Sequence, residues 1–161
     1  MLPFARSLKK HGVQIIATGG TAKALKKGGI GVKKISTITK FPEIFGGRVK
    51  TLSPLISGGI LGQRDKDKKE AKEHGVLWID LVVCNLYPFS VVAKSPKSTI
   101  DDKIENIDIG GPTMIRAAAK NFKWVGVVVS PKDYPAIIKN LTAGGMSEKM
   151  RFSLAKKAFG H

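Results

Sequence analysis

Two short, continuous apolar runs do most to limit what this chain can fold into. Asp80–Leu86 reads Asp-Leu-Val-Val-Cys-Asn-Leu, and Trp124–Val129 reads Trp-Val-Gly-Val-Val-Val. Neither alternates polar with apolar, so neither suits a strand with one wet face. Both suit strands covered on two sides, the habit of parallel sheets. Helical patterns separate them. Phe4–His11 predicts a short amphipathic helix, with Pro3 in its first turn and Gly12 just past its end. Val13–Ala17 and Gly31–Ile35 read as shorter strands, flanking a helix over Ala22–Lys27 that Gly28-Gly29 stops. Asp65–Glu73 predicts a polar helix, and Ser98 with Asp101 a capping box that opens Thr99–Glu105. Pro112–Lys120, Tyr134–Leu141 and Ser147–Phe159 predict three more helices. Thr37–Arg64 shows no period and holds Pro42, Gly46, Gly47, Pro54, Gly58 and Gly59, the mark of a long functional loop. Strands joined by helical crossovers imply an α/β fold of three layers, a mostly parallel sheet with helices on both faces. A length of 161 residues suits one such domain.

Charge narrows the partners less than it first promises. Lys and Arg number 28 against 12 acids, for a net charge of +16. That balance suits nucleic acid, an anionic membrane or a phosphorylated substrate. The basic residues are scattered, however, and no aromatic platform interleaves with them, so a solvated surface is the simpler account. No apolar run approaches the roughly 18 residues of a membrane span. The single Cys84 excludes an internal disulfide and a Cys-based zinc site, and its apolar setting predicts a buried, inert thiol. No apolar secretory segment follows Met1, which predicts a cytoplasmic setting. His11 and His74 each precede a glycine and read as helix-end residues, with no metal-ligand spacing.

Two glycine-bearing turns are candidates for chemistry. Thr18-Gly19-Gly20-Thr21 lies between a strand and a helix, where bare backbone N–H groups and a helix start favour an anion. An ordinary turn with Thr21 as the helix cap is the plainer alternative. Asp108-Ile109-Gly110-Gly111-Pro112 repeats the arrangement, but with a carboxylate beside it, and Lys120 follows at the far end of the same predicted helix. A capping Asp and a solvated Lys would explain those two as well. Gly47-Arg48-Val49-Lys50-Thr51 places a forked guanidinium and a point charge in the long loop. Asn85-Leu86-Tyr87-Pro88-Phe89 follows a strand, where open α/β sheets place ligand contacts.

Taken together, these runs resemble a family. Thr18–Ala22, Phe41-Pro42-Glu43, Gly47–Leu52, Gly58–Leu61, Asn85–Phe89, Glu105–Pro112 and Arg116–Asn121 are similar, in order, to the N-terminal IMP cyclohydrolase domain of the bifunctional PurH family. The resemblance implies a methylglyoxal-synthase-like α/β fold, a homodimer, and closure of the purine ring of FAICAR to IMP with loss of water. It implies no metal or organic cofactor, no membrane and no specific nucleic acid. By the same resemblance, Lys50 stabilises the formyl oxygen, Tyr87 assists, and Asp108 with Lys120 shuttles the carboxamide proton. Thr18, Gly19, Gly20, Thr21, Arg48, Thr51, Gly110 and Gly111 would line the nucleotide.

Residues 1–161 would then be one cyclohydrolase domain that starts after the family's first strand, with its Ser-x-Ser-Asp-Lys segment, and stops before the AICAR transformylase domain. Ser53 and Ser57 stand where the family usually has histidines in Thr-Leu-His-Pro-x-x-His-Gly-Gly, and Phe122 where His commonly follows Lys-Asn. The alternative is a non-catalytic module of the same fold that binds a nucleotide or phosphate. A basic nucleic-acid binder ranks last and predicts duplex affinity that collapses with salt.

Overall fold

The computed structural model describes residues 1–86 and 89–161. Helix and strand alternate through it. Helix α1 (Leu2–Lys10) leads to β1 (Ile16–Ala17), α2 (Gly19–Lys27), β2 (Lys33–Lys34) and α3 (Ile35–Thr39). After a short 3-10 turn at Phe45–Gly47 come α4 (Pro54–Leu61), α5 (Lys68–Glu73), β3 (Leu81–Val83), α6 (Phe89–Lys94) and α7 (Ile100–Glu105). The chain closes with α8 (Gly110–Lys120), β4 (Gly126–Val128), α9 (Tyr134–Thr142) and α10 (Glu148–Phe159).

Among the described residues both pairings between strands are parallel, as expected, with one isolated antiparallel bridge between Ile44 and Val49, and the strands are shorter than the apolar runs that announce them. Ile16 pairs with Lys33 and Ala17 with Lys34, while Leu81, Val82 and Val83 pair with Gly126, Val127 and Val128. The described residues thus hold two separate two-stranded pieces. The second is the better buried. Val127 packs with Ile56, Ile60, Ile115 and Ala118, whereas Val128, one residue on, packs with Phe4, Leu8, Ile137 and Leu154. Side chains that alternate along a strand therefore meet α4 and α8 on one face and α1 and α9 on the other. This is the expected α/β arrangement.

The long loop is more ordered than its glycines suggest. Ser53 caps α4 by accepting from the Leu55 N–H at 3.3 Å, and Pro54 opens the helix. Two glycines weaken a helix in isolation. Here a Cβ on Gly59 would run into the Leu77 carbonyl, and the Gly59 carbonyl accepts from the Ile79 N–H at 3.0 Å. Close packing against the approach to β3 replaces propensity as the source of order.

Four local expectations need correction. The capping box is Thr99 with Asp102, one residue later than Ser98 and Asp101, because Thr99 reaches the Asp102 N–H at 3.1 Å and Asp102 returns to the Thr99 N–H at 2.8 Å. Helix α2 starts at Gly19 behind Thr18, so Thr21 lies inside the helix and does not cap it. Helix α8 likewise starts at Gly110, ahead of Pro112. Arg64, one of the basic residues whose simpler account was a solvated surface, spans inward to the Trp124 carbonyl at 2.7 Å and the Ile79 carbonyl at 3.0 Å. His11 and His74 do stand at helix ends, those of α1 and α5.

Candidate functional site

The C-terminal ends of β1 and β3 open into a cavity of about 1170 Å³. Thr18, Gly19, Gly20 and Thr21 line it from the β1–α2 turn. Arg48, Lys50 and Thr51 enter from the segment before α4, and Asp108, Gly110 and Gly111 from the start of α8. Sequence separations of about thirty to ninety residues thus close on one site, at the strand ends where open α/β sheets hold ligands.

Lys50 occupies the centre of this convergence. A Cβ on either Gly19 or Gly47 would lie 3.7 Å from its Nζ. Both glycines have positive φ, +47° and +89°, so the backbone calls for glycine there, while the space would admit a Cβ in ordinary contact with the ammonium. The ammonium is therefore held between two bare stretches of main chain, each of which allows an anionic ligand close to it.

Across the cavity, the Gly111 N–H donates to Asp108 Oδ1 at 2.8 Å. That bond satisfies one orphan donor at the start of α8 and fixes the carboxylate at the cavity wall. A Cβ on Gly111 would press on Asp108 Oδ2 at 2.6 Å, and one on Gly110 would collide with Thr51 Oγ1. Thr51 itself is buried, one of two buried polar residues among those described. The glycine pair of this turn is thus explained by packing against Asp108 and Thr51.

Arg48 is already paired. Its Nε donates to Glu105 Oε2 at 3.1 Å, and its terminal nitrogen contacts the same carboxylate. The hydrogen bond, followed by the charge of the guanidinium, holds Glu105 below the usual carboxylate range. Glu105 lines the cavity and was not singled out from sequence as a site residue. Its one available signal was its place three residues before Asp108. Cys84 and Asn85 also border the cavity. Burial first, and then the charge of Asp108, push the Cys84 thiol up to about 11, in line with the inert thiol expected.

Two expected members stand apart. Tyr87 lies outside the described residues. Lys120 ends α8 and is exposed, and it does not border the cavity. At about 1.5 Å of rise per residue, eleven helical residues put it roughly 15 Å from the Asp108 end. Among the described residues no hydrogen bond or ion pair joins Asp108 to Lys120, and the two stand at opposite ends of α8. The three residues that replace family histidines have structural places. Ser53 is the α4 cap, Ser57 sits inside that helix, and Phe122 stacks at a tilt on Phe152 with centroids 5.1 Å apart.

Residues 1–113 match the MGS-like domain, and residues 118–161 match the AICARFT/IMPCHase bienzyme. The chain is 54% identical over 162 residues to the bifunctional purine biosynthesis protein PurH of Neisseria meningitidis serogroup C, covering 98% of this chain and 31% of that protein. It is 52% identical over 164 residues to the PurH of a Thermoanaerobacter species, covering 32% of it. The chain thus spans about a third of the length of the curated relatives it matches. Among solved structures, that of ForH superposes with a TM-score of 0.85 at 37% identity, over 99% of this chain and 85% of that one. With the greater part of its length matched and its site residues converging at the strand ends, the chain belongs to the MGS-like domain family.

Proposed function

We propose that residues 1–161 form an IMP cyclohydrolase domain that closes FAICAR to IMP. The observation that carries this reading is Lys50 Nζ held between Gly19 and Gly47 in the same cavity as Asp108. The reaction asks for such a pairing. The carboxamide nitrogen, a poor nucleophile, must attack the formyl carbon, and negative charge then builds on the formyl oxygen. A C–N bond forms as the carboxamide nitrogen gives up one proton; the C–O bond then breaks while the formamido nitrogen gives up its own proton and forms a C=N bond, and the oxygen leaves as water with two protons. Lys50 is the group that meets the developing oxyanion, where a preorganised donor counts most. Asp108, fixed by the Gly111 N–H, accepts the proton that the carboxamide nitrogen gives up.

The Thr18–Thr21 turn and the first N–H groups of α2 would take the 5′-phosphate, with Arg48 at the rim. Thr51, Gly110 and Gly111 would bound the base and ribose. Tyr87 keeps the assisting role that the resemblance implies. Lys120 has no direct partner in Asp108 and takes no step in this scheme. We further place the domain in de novo purine synthesis, in the cytoplasm, as a homodimer, with a transformylase domain on the same chain in longer relatives. In support of the dimer, Ile100, Ile104, Ile107 and Ile109 all stand more than half exposed around α7. No described helix is long and apolar enough to cross a membrane.

The test is IMP formation from FAICAR by the purified chain against an enzyme-free blank, with IMP binding measured in parallel. Turnover above the blank supports the enzyme. Binding of IMP without turnover would overturn it in favour of the nucleotide-binding module.

A further inference from the structure

Two stretches of chain carry Lys50 and Asp108, and they meet along one wall of the cavity. Arg48, Lys50 and Thr51 belong to the segment ahead of α4, and Glu105, Asp108 and Gly110 to the passage from α7 into α8. The two stretches touch at two places. At the inner place Thr51 is buried, and a Cβ on Gly110 would collide with its Oγ1. At the outer place Arg48 meets Glu105, with both side chains more than half exposed. Lys50 and Asp108 lie between these contacts in sequence. Lys50 comes two residues after Arg48, and Asp108 three residues after Glu105.

An exposed ion pair between flexible side chains is worth little by itself. This one differs in its geometry and in what it joins. Arg48 Nε donates to Glu105 Oε2 at 3.1 Å and a terminal nitrogen contacts the same oxygen, so two donors of one rigid fork hold the carboxylate. The hydrogen bond first, and then the opposite charge, raise Arg48 above its ordinary value and hold Glu105 below its own. Among the described residues no other hydrogen bond or ion pair joins the two stretches. The Arg48 side needs such a tie. Phe45, Gly46 and Gly47 all have positive φ, +53°, +65° and +89°, and the tip they form is closed at its base by the Ile44–Val49 bridge, with bonds of 3.2 and 3.4 Å. The Glu105 side is firmer, since α7 opens on its capping box and the Asn106 amide closes it onto the Asp102 carbonyl at 2.9 Å. A soft tip is thus fastened to a capped helix.

We propose that Glu105 is a positioning residue for ring closure: through Arg48 it fixes the spacing of Lys50 and Asp108 across the cavity. The inference rests on the cyclohydrolase reading, and Glu105 touches no reacting atom in it. Ring closure needs a donor at the formyl oxygen and an acceptor at the carboxamide nitrogen in one arrangement, and a misplacement of about 1 Å is costly to rate. With the tie broken, Thr51 still holds the inner end, while the tip that carries Arg48 parts from α7 and takes Lys50 with it. The loss therefore falls on kcat. Affinity moves the other way, because the Glu105 carboxylate opposes an anionic ligand at the rim.

The experiment measures kcat and KM for FAICAR, IMP affinity, and amide hydrogen exchange at Gly47, Arg48 and Val49. It compares the parent chain with Glu105→Gln, Glu105→Ala, Arg48→Ala and the double variant Arg48→Ala/Glu105→Ala. Glu105→Ala should lower kcat about fivefold, within the reach of an exposed pair, and speed exchange at the tip. Glu105→Gln should fall between the two, because its amide oxygen still accepts from Arg48. Both should bind IMP more tightly by a similar factor, since both lose the same charge. In the Arg48→Ala background, Glu105→Ala should cost no further kcat. An unchanged kcat in Glu105→Ala, a loss that persists without Arg48, or unchanged exchange at the tip would each overturn the proposal while leaving parent turnover intact. A parent chain no faster than the enzyme-free blank would instead overturn the cyclohydrolase reading, and the role of Glu105 would fall with it.

Discussion

At the scale of single residues, the site is a set of side chains whose partners differ in how firmly they hold. Asp108 is tied by a main-chain donor, and that separates its two roles. Asp108→Asn keeps an acceptor for the Gly111 N–H and should unfold at nearly the same denaturant concentration while losing turnover. Asp108→Ala loses the bond as well and should cost about 1 kcal/mol in urea unfolding, the usual worth of a helix N-terminal acceptor. Arg48 is tied by an exposed ion pair instead. Glu105→Gln removes a negative charge from the rim of an anion site, so IMP should bind severalfold more tightly in low salt by titration calorimetry. The gain should vanish near 1 M salt, where the screening length falls to about 3 Å.

Cys84 gives a prediction with a definite sign. Its folded value is raised from 9.0 to about 11, so the folded state holds the proton more tightly than the unfolded state does. Stability from this group is complete below pH 9 and drains away as pH rises toward about 11. Iodoacetamide should accordingly label Cys84 slowly at pH 8.5 and readily only near pH 11. Fast labelling at pH 8.5 would show the thiol to be less shielded than its setting requires.

At the scale of elements, glycine placement explains both what sequence reveals and what it hides. The apolar runs at Asp80–Leu86 and Trp124–Val129 mark β3 and β4 because burial on two faces leaves no polar position to interrupt them. Helix α4 escaped notice for the opposite reason. Its Gly58-Gly59 pair reads as loop, and only the Leu77 carbonyl, well outside any local window, explains why small residues sit there. Gly59→Ala should therefore destabilise the fold by about 1–3 kcal/mol in denaturant unfolding, an overpacking cost, despite the better helix propensity of Ala. Asn121 works at the same junction, since its amide donates to the Ile60 and Gly62 carbonyls at 2.7 and 3.1 Å.

The site shows a similar division. The turns at Thr18–Thr21 and Asp108–Gly111 were legible as cavity lining because a glycine pair beside a helix start stands out in sequence. The Arg48–Glu105 pair was not, because it joins residues 57 apart across two loops. Lys120 shows a third case, since a resemblance in sequence does not state how far a helix carries a side chain from its start.

At the scale of the whole molecule, the basic excess of +16 acts through its distribution. Scattered lysines give a positive field without a track, so the KM for FAICAR should rise smoothly with ionic strength while kcat stays flat. A steep kcat loss would point to a charge inside the chemistry being screened instead.

The central claim is that Lys50, held between Gly19 and Gly47, stabilises the oxyanion of ring closure. The most direct test is the rate of IMP formation from FAICAR for the chain and for Lys50→Ala, each against the spontaneous rate, with IMP affinity measured on the same samples. The account predicts kcat lower by about 10²–10³ in the variant, the usual cost of one oxyanion donor, with the fold intact and IMP affinity little changed. A folded variant that turns over like the parent chain would contradict it.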